Sequence, residues 1–270
     1  MRPFLKWAGG KARLVPHIRR RLPPGARLIE PFVGSGAVFL NTDYPAYLLG
    51  DINADLIHVF LQLQEQGDAF IQACATLFTP ETNTAAAYYA LRAEFNATTD
   101  PVRRAVLFVY LNRHGYNGLC RYNAQGQFNV PFGRYRRPYF PAEEMQAFAA
   151  KARQALFVAA DFRTVLSLAQ PGDVVYCDPP YVPWSATAAF TDYVAGGFSL
   201  ADQADLAQQA VALADRGIPV LISNHATPIT AQLYADARVD TVLVGRSISC
   251  DGARRGAVTE VLALFGGMTE

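Results

Sequence analysis

Short runs of apolar residues, each bounded by turn residues, recur in the first and last parts of the chain. Runs of this length predict strands buried on both faces. They cover residues 26–30, 46–51, 155–161, 173–178 and 218–224. Between the last two runs the apolar positions follow a helical period, with Ser199 and Asp202 as a predicted capping box and Gly217 at the predicted end. Strands that alternate with helices indicate an α/β fold with a parallel sheet covered on both faces.

The middle of the chain has a different pattern. Residues 56 to about 144 predict mostly helix, and one of these helices begins with Asp100 as N-cap and Pro101 at its first position. The stretch CRYNAQGQFNVPFGRY that follows predicts a hairpin with its turn near Gly126. The pattern therefore indicates a mainly helical segment inserted into the α/β fold.

The C-terminal stretches DTVLVGRSIS and VTEVLALFG predict two further strands, which could pair as an antiparallel hairpin. We therefore expect a discontinuous α/β domain formed by residues 1–55 and 145–270. The inserted domain is predicted to span residues 56–144.

Composition and cysteine spacing exclude several classes of protein. Hydrophobic residues make up 51% of the 270 residues and charged residues 17%, which excludes a wholly disordered chain. No run approaches the roughly 18 apolar residues of a membrane span, and the first residues lack the apolar core of a secretory signal, so we expect a cytoplasmic protein. Cys74, Cys120, Cys177 and Cys250 form no C-x-x-C pair, which argues against a zinc site and favours reduced, buried thiols.

Charge is unevenly distributed, although the net charge is only +1. Residues 101–140 contain seven arginines, no Asp or Glu, and nine aromatic residues. Arginines suit phosphates and base edges, and aromatic rings stack on unpaired bases, so this segment could bind nucleic acid. A buried aromatic helix with a solvated arginine face would have the same composition, and composition alone leaves both interpretations open.

The stretch LIEPFVGSGAVFLN predicts a strand, a turn containing Gly34 and Gly36, and then a helix. Glycines allow a ligand to approach the backbone at the carboxyl edge of a parallel sheet. A plain tight turn would also use them, since the dinucleotide fingerprint has three glycines. Asp51 ends the next predicted strand, where its carboxylate could accept hydrogen bonds from ribose hydroxyls. Together these features indicate a ligand that contains a nucleoside.

The stretch VVYCDPPYVP combines a buried strand with an acid, two prolines and a tyrosine. The prolines hold the backbone extended, so that Asp178 and the carbonyl of Pro179 could both accept from one amino group. Tyr181 offers a ring on which a planar base could stack. This set suits methylation of an exocyclic amine, although a proline turn could also simply close a strand. On an alternating strand, Cys177 is predicted to point away from Asp178 and into the core.

In this order along the chain, the motifs FLKWAGGK, EPFVGSG, DIN, LNRHGYNGLCRYN, FNVPFGRY, DPPY and ISNH resemble those of the DNA adenine methyltransferase (Dam) family. The resemblance covers nearly the whole chain. It implies a Rossmann-like, S-adenosylmethionine-dependent methyltransferase sheet with an inserted, mainly helical target-recognition domain that contains a β-hairpin. The implied reaction transfers a methyl group from S-adenosylmethionine to adenine N6 in double-stranded DNA, at GATC, by base flipping and direct in-line transfer.

The resemblance also implies roles for individual residues. The implied cofactor residues are Trp7, Lys11, Phe32, Gly34, Gly36, Asp51, Asp161, Phe162 and Asp178. Asp178, Pro179 and Tyr181 are implied to hold the flipped adenine. The bases of the site are implied to contact Lys6, Leu119, Arg121, Pro131 and Tyr135, with Lys6 on the first guanine. Tyr116 and Asn117 are implied to fill the gap left by the flipped base, and we assign phosphate contacts to Arg92, Arg113, Arg134 and Arg137.

Two other functions remain open at this point. Related acceptor motifs serve enzymes that methylate a protein amide or an RNA base, and a DNA-binding relative could have lost catalysis. The basic, aromatic insertion disfavours the first group, and binding of S-adenosylmethionine would exclude the second. We expect neither a metal ion nor an obligate protein partner.

Overall fold

The computed structural model describes residues 1–182, 197–245 and 257–267. The helices are α1 (Val15–Arg19), α2 (Ala54–Gln66), α3 (Asp68–Ala75), α4 (Ala85–Ala97), α5 (Pro101–His114), α6 (Ala142–Ala152), α7 (Phe162–Ser167), α8 (Leu200–Asp215) and α9 (Pro228–Leu233). The strands are β1 (Arg27–Glu30), β2 (Ala46–Asp51), β3 (Ala155–Ala159), β4 (Asp173–Cys177), β5 (Val220–His225), β6 (Arg238–Gly245) and β7 (Ala257–Phe265). Short 3-10 helices cover Phe39–Asn41 and Tyr116–Gly118.

Within these described residues, seven strands form one sheet in the order β3-β2-β1-β4-β5-β7-β6. β1 pairs in parallel with β2 and β4, and β4 pairs in parallel with β5. β7 is antiparallel to both β5 and β6. The predicted α/β fold and the antiparallel C-terminal pair are therefore confirmed. The connection between β6 and β7, residues 246–256, lies outside the described residues.

Contacts divide the chain into two compact units. The first unit comprises Met1–Ala12, Val33–Asn41 and Asp51–Ala160, and the second comprises Arg13–Phe32, Thr42–Gly50 and Asp161–Glu270. These units are defined by packing and carry no information on activity. The division into a catalytic domain and a target-recognition insertion therefore stays a prediction.

In the second unit, burial explains the apolar runs of the sequence. All five residues of β4 are buried, as are the first five of β5. α8 begins with the predicted capping box, in which Ser199 and Asp202 each bond to the other's backbone N–H. Gly217, just after this helix, adopts a φ of +76°, a backbone conformation that residues other than glycine rarely adopt. The sequence signals for this helix are therefore confirmed at both ends.

The first unit is mainly helical around a buried aromatic cluster. The rings of Phe60 and Phe148 lie 4.6 Å apart, and Phe4 packs edge-on against Phe148 at 5.2 Å. α5 starts as predicted, because the side chain of Asp100 accepts from the first free N–H groups of the helix. Its last ten residues are all buried, so α5 forms the centre of this unit.

Two local predictions need correction. The helix predicted after Gly36 is wrong, because only the 3-10 turn Phe39–Asn41 forms there. Gly36 has a left-handed φ of +73°, and the side chain of Asn41 bonds to the carbonyl of Ala37, which together close the chain into one turn before β2. The predicted hairpin near Gly126 is confirmed as a turn, but its pairing is reduced to isolated bridges, between Tyr122 and Phe128 and between Gly115 and Phe132.

Candidate functional sites

The carboxylate of Asp178 lies directly after β4, in the second unit. Ser223 on β5 donates its hydroxyl to Asp178 Oδ1 at 3.0 Å, and the same hydroxyl lies 2.9 Å from the hydroxyl of Tyr176. Cys177 is fully buried, as the strand alternation predicts, and burial raises the pKa of its thiol. β5 therefore orients the carboxylate of Asp178. Cys177 is not a candidate nucleophile, because its thiol is fully buried.

Buried side chains also hold the backbone after Asp178. Pro179 is itself buried, and Gln203 on α8 donates to the carbonyl of Pro180 at 2.6 Å. Asn224 accepts from the N–H of Val182 at 3.0 Å and donates to Gln203 Oε1 at 3.1 Å. Satisfied buried networks of this kind rigidify the segment that they contact. The DPPY backbone is therefore fixed by groups from α8 and β5.

Contacts of its hydroxyl and of its ring fix the orientation of the Tyr181 side chain. Its hydroxyl donates to Glu260 Oε2 on β7 at 2.7 Å, and its ring lies edge-on to His225, with centroids 4.7 Å apart. His225 Nδ1 lies 2.9 Å from the carbonyl of Val182, which gives this histidine a structural role. Burial and the nearby charge of Asp178 raise the pKa of Tyr181, so its hydroxyl stays protonated.

An aromatic cluster follows β1 and opens α7 in the second unit. Phe32 stacks on Phe162 with centroids 5.5 Å apart, and Phe198 packs edge-on against Phe32 at the same distance. Asp161 caps α7 by accepting from Arg163 N. The structure thus brings together Phe32, Asp161 and Phe162 of the predicted set and adds Phe198, which the sequence did not suggest.

The glycine turn of the first unit is built around Asp51. Asp51 Oδ2 accepts from Gly34 N at 3.1 Å, and its Oδ1 accepts from Asn53 N at 2.9 Å. Burial raises the pKa of Asp51, while these backbone donors oppose the shift. Gly34 has a φ of +48°, and a Cβ there would lie 2.9 Å from Trp7 Nε1. A side chain at Gly34 would therefore displace the Trp7 ring.

The remaining cofactor candidates of the first unit are Gly36 and Lys11. A Cβ on Gly36 would lie 3.2 Å from the ring of Phe148, so this glycine allows close packing. Lys11 is nearly buried, and its Nζ donates to the carbonyl of Gly9 at 2.8 Å. The structure therefore shows how Lys11 is held.

Lys6 lies at the centre of the predicted base-reading set. Its Nζ sits 3.8 Å from the centroid of the Tyr135 ring, and a Cβ on Gly118 would lie 2.2 Å from Lys6 Cβ. Burial, together with the charge of Arg113, lowers the pKa of Lys6 to about 8. Lys6, Tyr135 and the turn before Leu119 are therefore packed together, with Leu119 itself half-buried.

The turn at Tyr116–Gly118 presents an exposed aromatic residue. Tyr116 is 50% exposed, and its N–H bonds to the carbonyl of Pro131 at 2.9 Å. Asn117 has a φ of +53°, as does Arg134. Non-glycine residues in this conformation are uncommon and cluster at functional sites. The predicted gap-filling pair is therefore on the surface, in a strained turn.

The predicted DNA-binding arginines fall into two groups. Arg121, Arg134 and Arg137 are exposed, and Arg121 Nε donates to Asn129 Oδ1 at 2.7 Å. By contrast, Arg113 is only 5% exposed and donates to the carbonyls of Phe4 and Tyr139.

Arg92 also binds backbone, since its Nη1 donates to the carbonyl of Val130 at 3.0 Å. Phosphate contact by Arg92 and Arg113 stays a prediction. Both guanidinium groups are occupied by the protein's own backbone in this structure.

Sequence reasoning missed the residues that orient the acceptor set, namely Gln203, Ser223, Asn224 and Glu260. Ser223 and Asn224 belong to the ISNH motif, which marked β5 but carried no role. Gln203 and Glu260 lie on α8 and β7, and ordinary helix and strand patterns gave no signal for them. Their contacts with the DPPY segment depend on tertiary packing.

Two negative findings apply to the described residues. No helix among them is both long enough and apolar enough to cross a membrane. No group of three or more His, Cys, Asp or Glu side chains in these ranges is arranged to hold a metal ion.

The sites and the fold agree with one class of enzyme. The sequence model of the "D12 class N6 adenine-specific DNA methyltransferase" family matches residues 7–248. The chain belongs to this family, which confirms the resemblance and the predicted fold class. Its reaction is accordingly the methylation of adenine N6 in DNA.

Individual relatives are similar over the whole chain. The DNA adenine methylase of Escherichia coli (strain K12) is 54% identical over 264 residues, which cover 98% of this chain and 95% of that protein. The DNA adenine methylase of Serratia marcescens is 55% identical over 265 residues and 98% of each chain. The solved structure of TrmN from Thermus thermophilus has 12% identity and a TM-score of 0.43, covering 95% of this chain and 48% of that one, a likeness too weak to bear on function.

Proposed function

We propose that the protein transfers the methyl group of S-adenosylmethionine to adenine N6 at GATC in double-stranded DNA, with the target base flipped out of the helix. The family establishes the adenine N6 chemistry. The methyl donor, the GATC site, the flipped base and the residue roles are proposed. The observation that carries the proposal is the fixed acceptor segment Asp178–Tyr181, held by α8, β5 and β7.

The first unit supports the choice of cofactor. Two backbone N–H groups hold Asp51, so its carboxylate is pre-oriented to accept from a ribose diol. The absence of a side chain at Gly34 allows the Trp7 ring to lie against the backbone of the glycine turn, since a Cβ there would lie 2.9 Å from Trp7 Nε1. These residues fit a nucleoside, and Trp7, Lys11, Gly36 and Asp51 are proposed to hold it. When bound, S-adenosylmethionine supplies a methyl group activated by a sulfonium.

The second unit offers an aromatic surface that suits an adenine ring. Phe32 and Phe162 are stacked, and Asp161 caps the helix that Phe162 begins. A purine can stack on such rings. We propose that Phe32, Asp161 and Phe162 contact the adenine of the cofactor.

The acceptor segment fits the electronic demand of the reaction. The amino group of adenine is a poor nucleophile, because its lone pair is delocalised into the ring. Asp178 and the carbonyl of Pro179 are proposed to accept from this amino group, which favours the positive nitrogen that develops as the methyl is transferred. Tyr181 is proposed to stack on the flipped base, and the proton lost from N6 leaves to water.

The first unit is proposed to choose the site. Arg121 is exposed and can make the two-pronged contact with guanine that is the commonest specific contact in the major groove. Lys6, Leu119, Pro131 and Tyr135 are proposed to contact the other base edges. Tyr116 and Asn117 are proposed to fill the gap left by the flipped adenine.

Phosphate contacts are proposed for the exposed Arg134 and Arg137. Arg92 and Arg113 remain in the same proposed group, although each would have to leave a backbone carbonyl to reach DNA. Such contacts would strengthen binding to any sequence and select none.

The test is transfer of labelled methyl from S-adenosylmethionine to three duplexes. One carries GATC, one carries the same site with a single base pair changed, and one carries GATC already methylated on both strands. We expect label in the first duplex alone. Label in the first two would contradict the proposed site, and absence of label from all three would contradict the proposed donor.

A further inference from the structure

The first turn of α2 contacts the segment that carries Arg121, in the first unit. Asn53 caps α2 by accepting from Leu56 N, and its Nδ2 lies 3.3 Å from the Cys120 sulfur. Two residues later along the same turn, Asp55 Oδ2 accepts from the hydroxyl of Tyr122 at 2.6 Å. One helical turn therefore contacts the residues on both sides of Arg121.

The contact between Tyr122 and Asp55 is well shielded. The Asp55 side chain is only 12% exposed, and Arg104 Nη2 also donates to Asp55 Oδ2, at 3.0 Å. Burial, with the charge of Asp55, raises the pKa of Tyr122, so its hydroxyl stays a donor. The Tyr122 ring packs edge-on against Phe128, with centroids 5.7 Å apart. Hydrogen bonds to a charged, shielded acceptor are among the stronger ones in proteins.

The turn near Gly126 has two arms: one contains Arg121, and the returning arm contains Phe128 and Val130. A different helix holds the returning arm. Three residues of α4, spaced by four, bond to this arm: Tyr88 and Arg92 donate to the carbonyl of Val130, and Asn96 donates to that of Phe128. Residues four apart share one helix face. The arm that contains Arg121 is thus held by α2, and the returning arm by α4.

We propose that the first turn of α2 fixes the position of Arg121 for site recognition, so that Tyr122 and Asp55 are specificity-positioning residues. The inference rests on the proposed role of Arg121 at a guanine. Arg121 itself is exposed and bonds to Asn129 on the returning arm. Its distance from a base edge therefore depends on how firmly the residues on each side of it are held. A small displacement is enough to lose a two-pronged contact.

The variant Tyr122→Phe tests this without unfolding the turn. It removes one hydroxyl, while Asp55 keeps its ion pair with Arg104 and the ring keeps its packing on Phe128. Tyr110→Phe is the matched control. This variant also removes a hydroxyl bonded at 2.6 Å, in this case to the carbonyl of Thr82, and within the described part of the chain that hydroxyl makes no hydrogen bond to the first turn of α2.

Two measurements on the full chain are needed. The first is hydrogen exchange at the amides of Asn123 and Asn129, which bond to Gln127 and Arg121 across the turn. The second is the ratio of methyl transfer to a GATC duplex and to the same duplex with one base pair changed. For Tyr122→Phe we expect faster exchange and a discrimination ratio that falls by about tenfold. Tyr110→Phe should match the wild-type protein in both.

Each other outcome has a defined meaning. Unchanged exchange in Tyr122→Phe would overturn the claim that α2 holds the segment. Faster exchange with an unchanged ratio would overturn its role in specificity, as would an equal fall in rate on both duplexes. If the wild-type protein itself did not discriminate, the proposed GATC choice would fail. The exchange measurement would then still show whether α2 holds the segment.

Discussion

The acceptor segment of the second unit and the candidate DNA face of the first unit are built in opposite ways. Around the acceptor segment, Asn224 bonds to Gln203 and Ser223 bonds to Asp178, and both Ser223 and Asn224 are fully buried. On the candidate DNA face, Arg121 and Arg137 are exposed. The comparison indicates that groups proposed for chemistry are fixed in advance, whereas groups proposed for DNA binding stay accessible to solvent and ions.

Physical chemistry explains the contrast. Transition-state stabilisation requires acceptors that are already in place, because reorganisation during the reaction costs free energy. The affinity for phosphates is increased by the release of counterions. This contribution requires exposed charge and little geometric precision. Recognition of a base edge requires both an exposed charge and a defined geometry. It combines an accessible guanidinium with a supported backbone, as at Arg121.

The largest expected effect comes from a substitution of Asp178 in the acceptor segment. Asp178→Asn keeps the shape of the side chain but removes its charge, and we expect the transfer rate to fall by about 10²–10³-fold. Thermal unfolding should change little, because Asn can still accept from Ser223. Asp205→Asn, at a surface ion pair with Arg163, is the control. A rate within tenfold of the wild-type value would contradict the proposed role of Asp178.

Arg121→Ala should act on site choice. Loss of a two-pronged guanine contact costs about 1–3 kcal/mol of discrimination, or roughly 5–150-fold. The measurement is the ratio of transfer efficiencies on GATC and on a duplex with one changed base pair. Equal losses on both duplexes would show that Arg121 binds DNA without selecting sequence.

Lys6 should make cognate binding depend on pH. Burial and Arg113 lower its pKa to about 8 in the free protein, whereas the proposed contact with a guanine acceptor would favour the charged form. Binding then takes up a proton above pH 8, so affinity should fall as pH rises from 7 to 9, by up to about tenfold per unit above the pKa.

The control for this pH dependence is Lys6→Met, which keeps the aliphatic stem and removes the charge. This variant should lose the fall in affinity between pH 7 and 9. The same fall in the variant would assign the titration to another group.

Arg137→Ala should have the smallest effect and act on all sequences alike. We expect a lower affinity for cognate and altered duplexes by the same factor, and a salt dependence of binding reduced by about one unit of slope. Arg153→Ala, an exposed arginine outside residues 101–140, serves as the control. A changed preference between the two duplexes would move Arg137 to the base-reading group.

Local sequence signals predicted much of the fold, and particular elements show why. The capping box at Ser199 and the N-cap at Asp100 depend on neighbouring residues, and both form as predicted. The helix predicted after Gly36 failed, because the contacts that close this segment into one turn were not visible in its composition. Asp51 and Asp178 are predicted as candidates because each lies at the end of a predicted buried strand, and the motif resemblance implies a role for both.

The supports of those candidates could not be predicted in the same way. Gln203 reaches Pro180 from 23 positions away, and Glu260 reaches Tyr181 from 79. The burial of Arg113 is a further example, since its charge alone suggested a surface position. Such contacts follow from the packing of distant elements and leave no periodic signal.

The central claim is that the acceptor segment Asp178–Tyr181 performs the chemistry and that Arg121 chooses the site. Its most direct test is single-turnover methyl transfer by Tyr181→Ala and Arg121→Ala, each on a GATC duplex and on a duplex with one changed base pair. We predict that Tyr181→Ala slows transfer to both duplexes by the same factor and that Arg121→Ala reduces the ratio between them. A changed ratio in Tyr181→Ala with an unchanged ratio in Arg121→Ala would contradict this division.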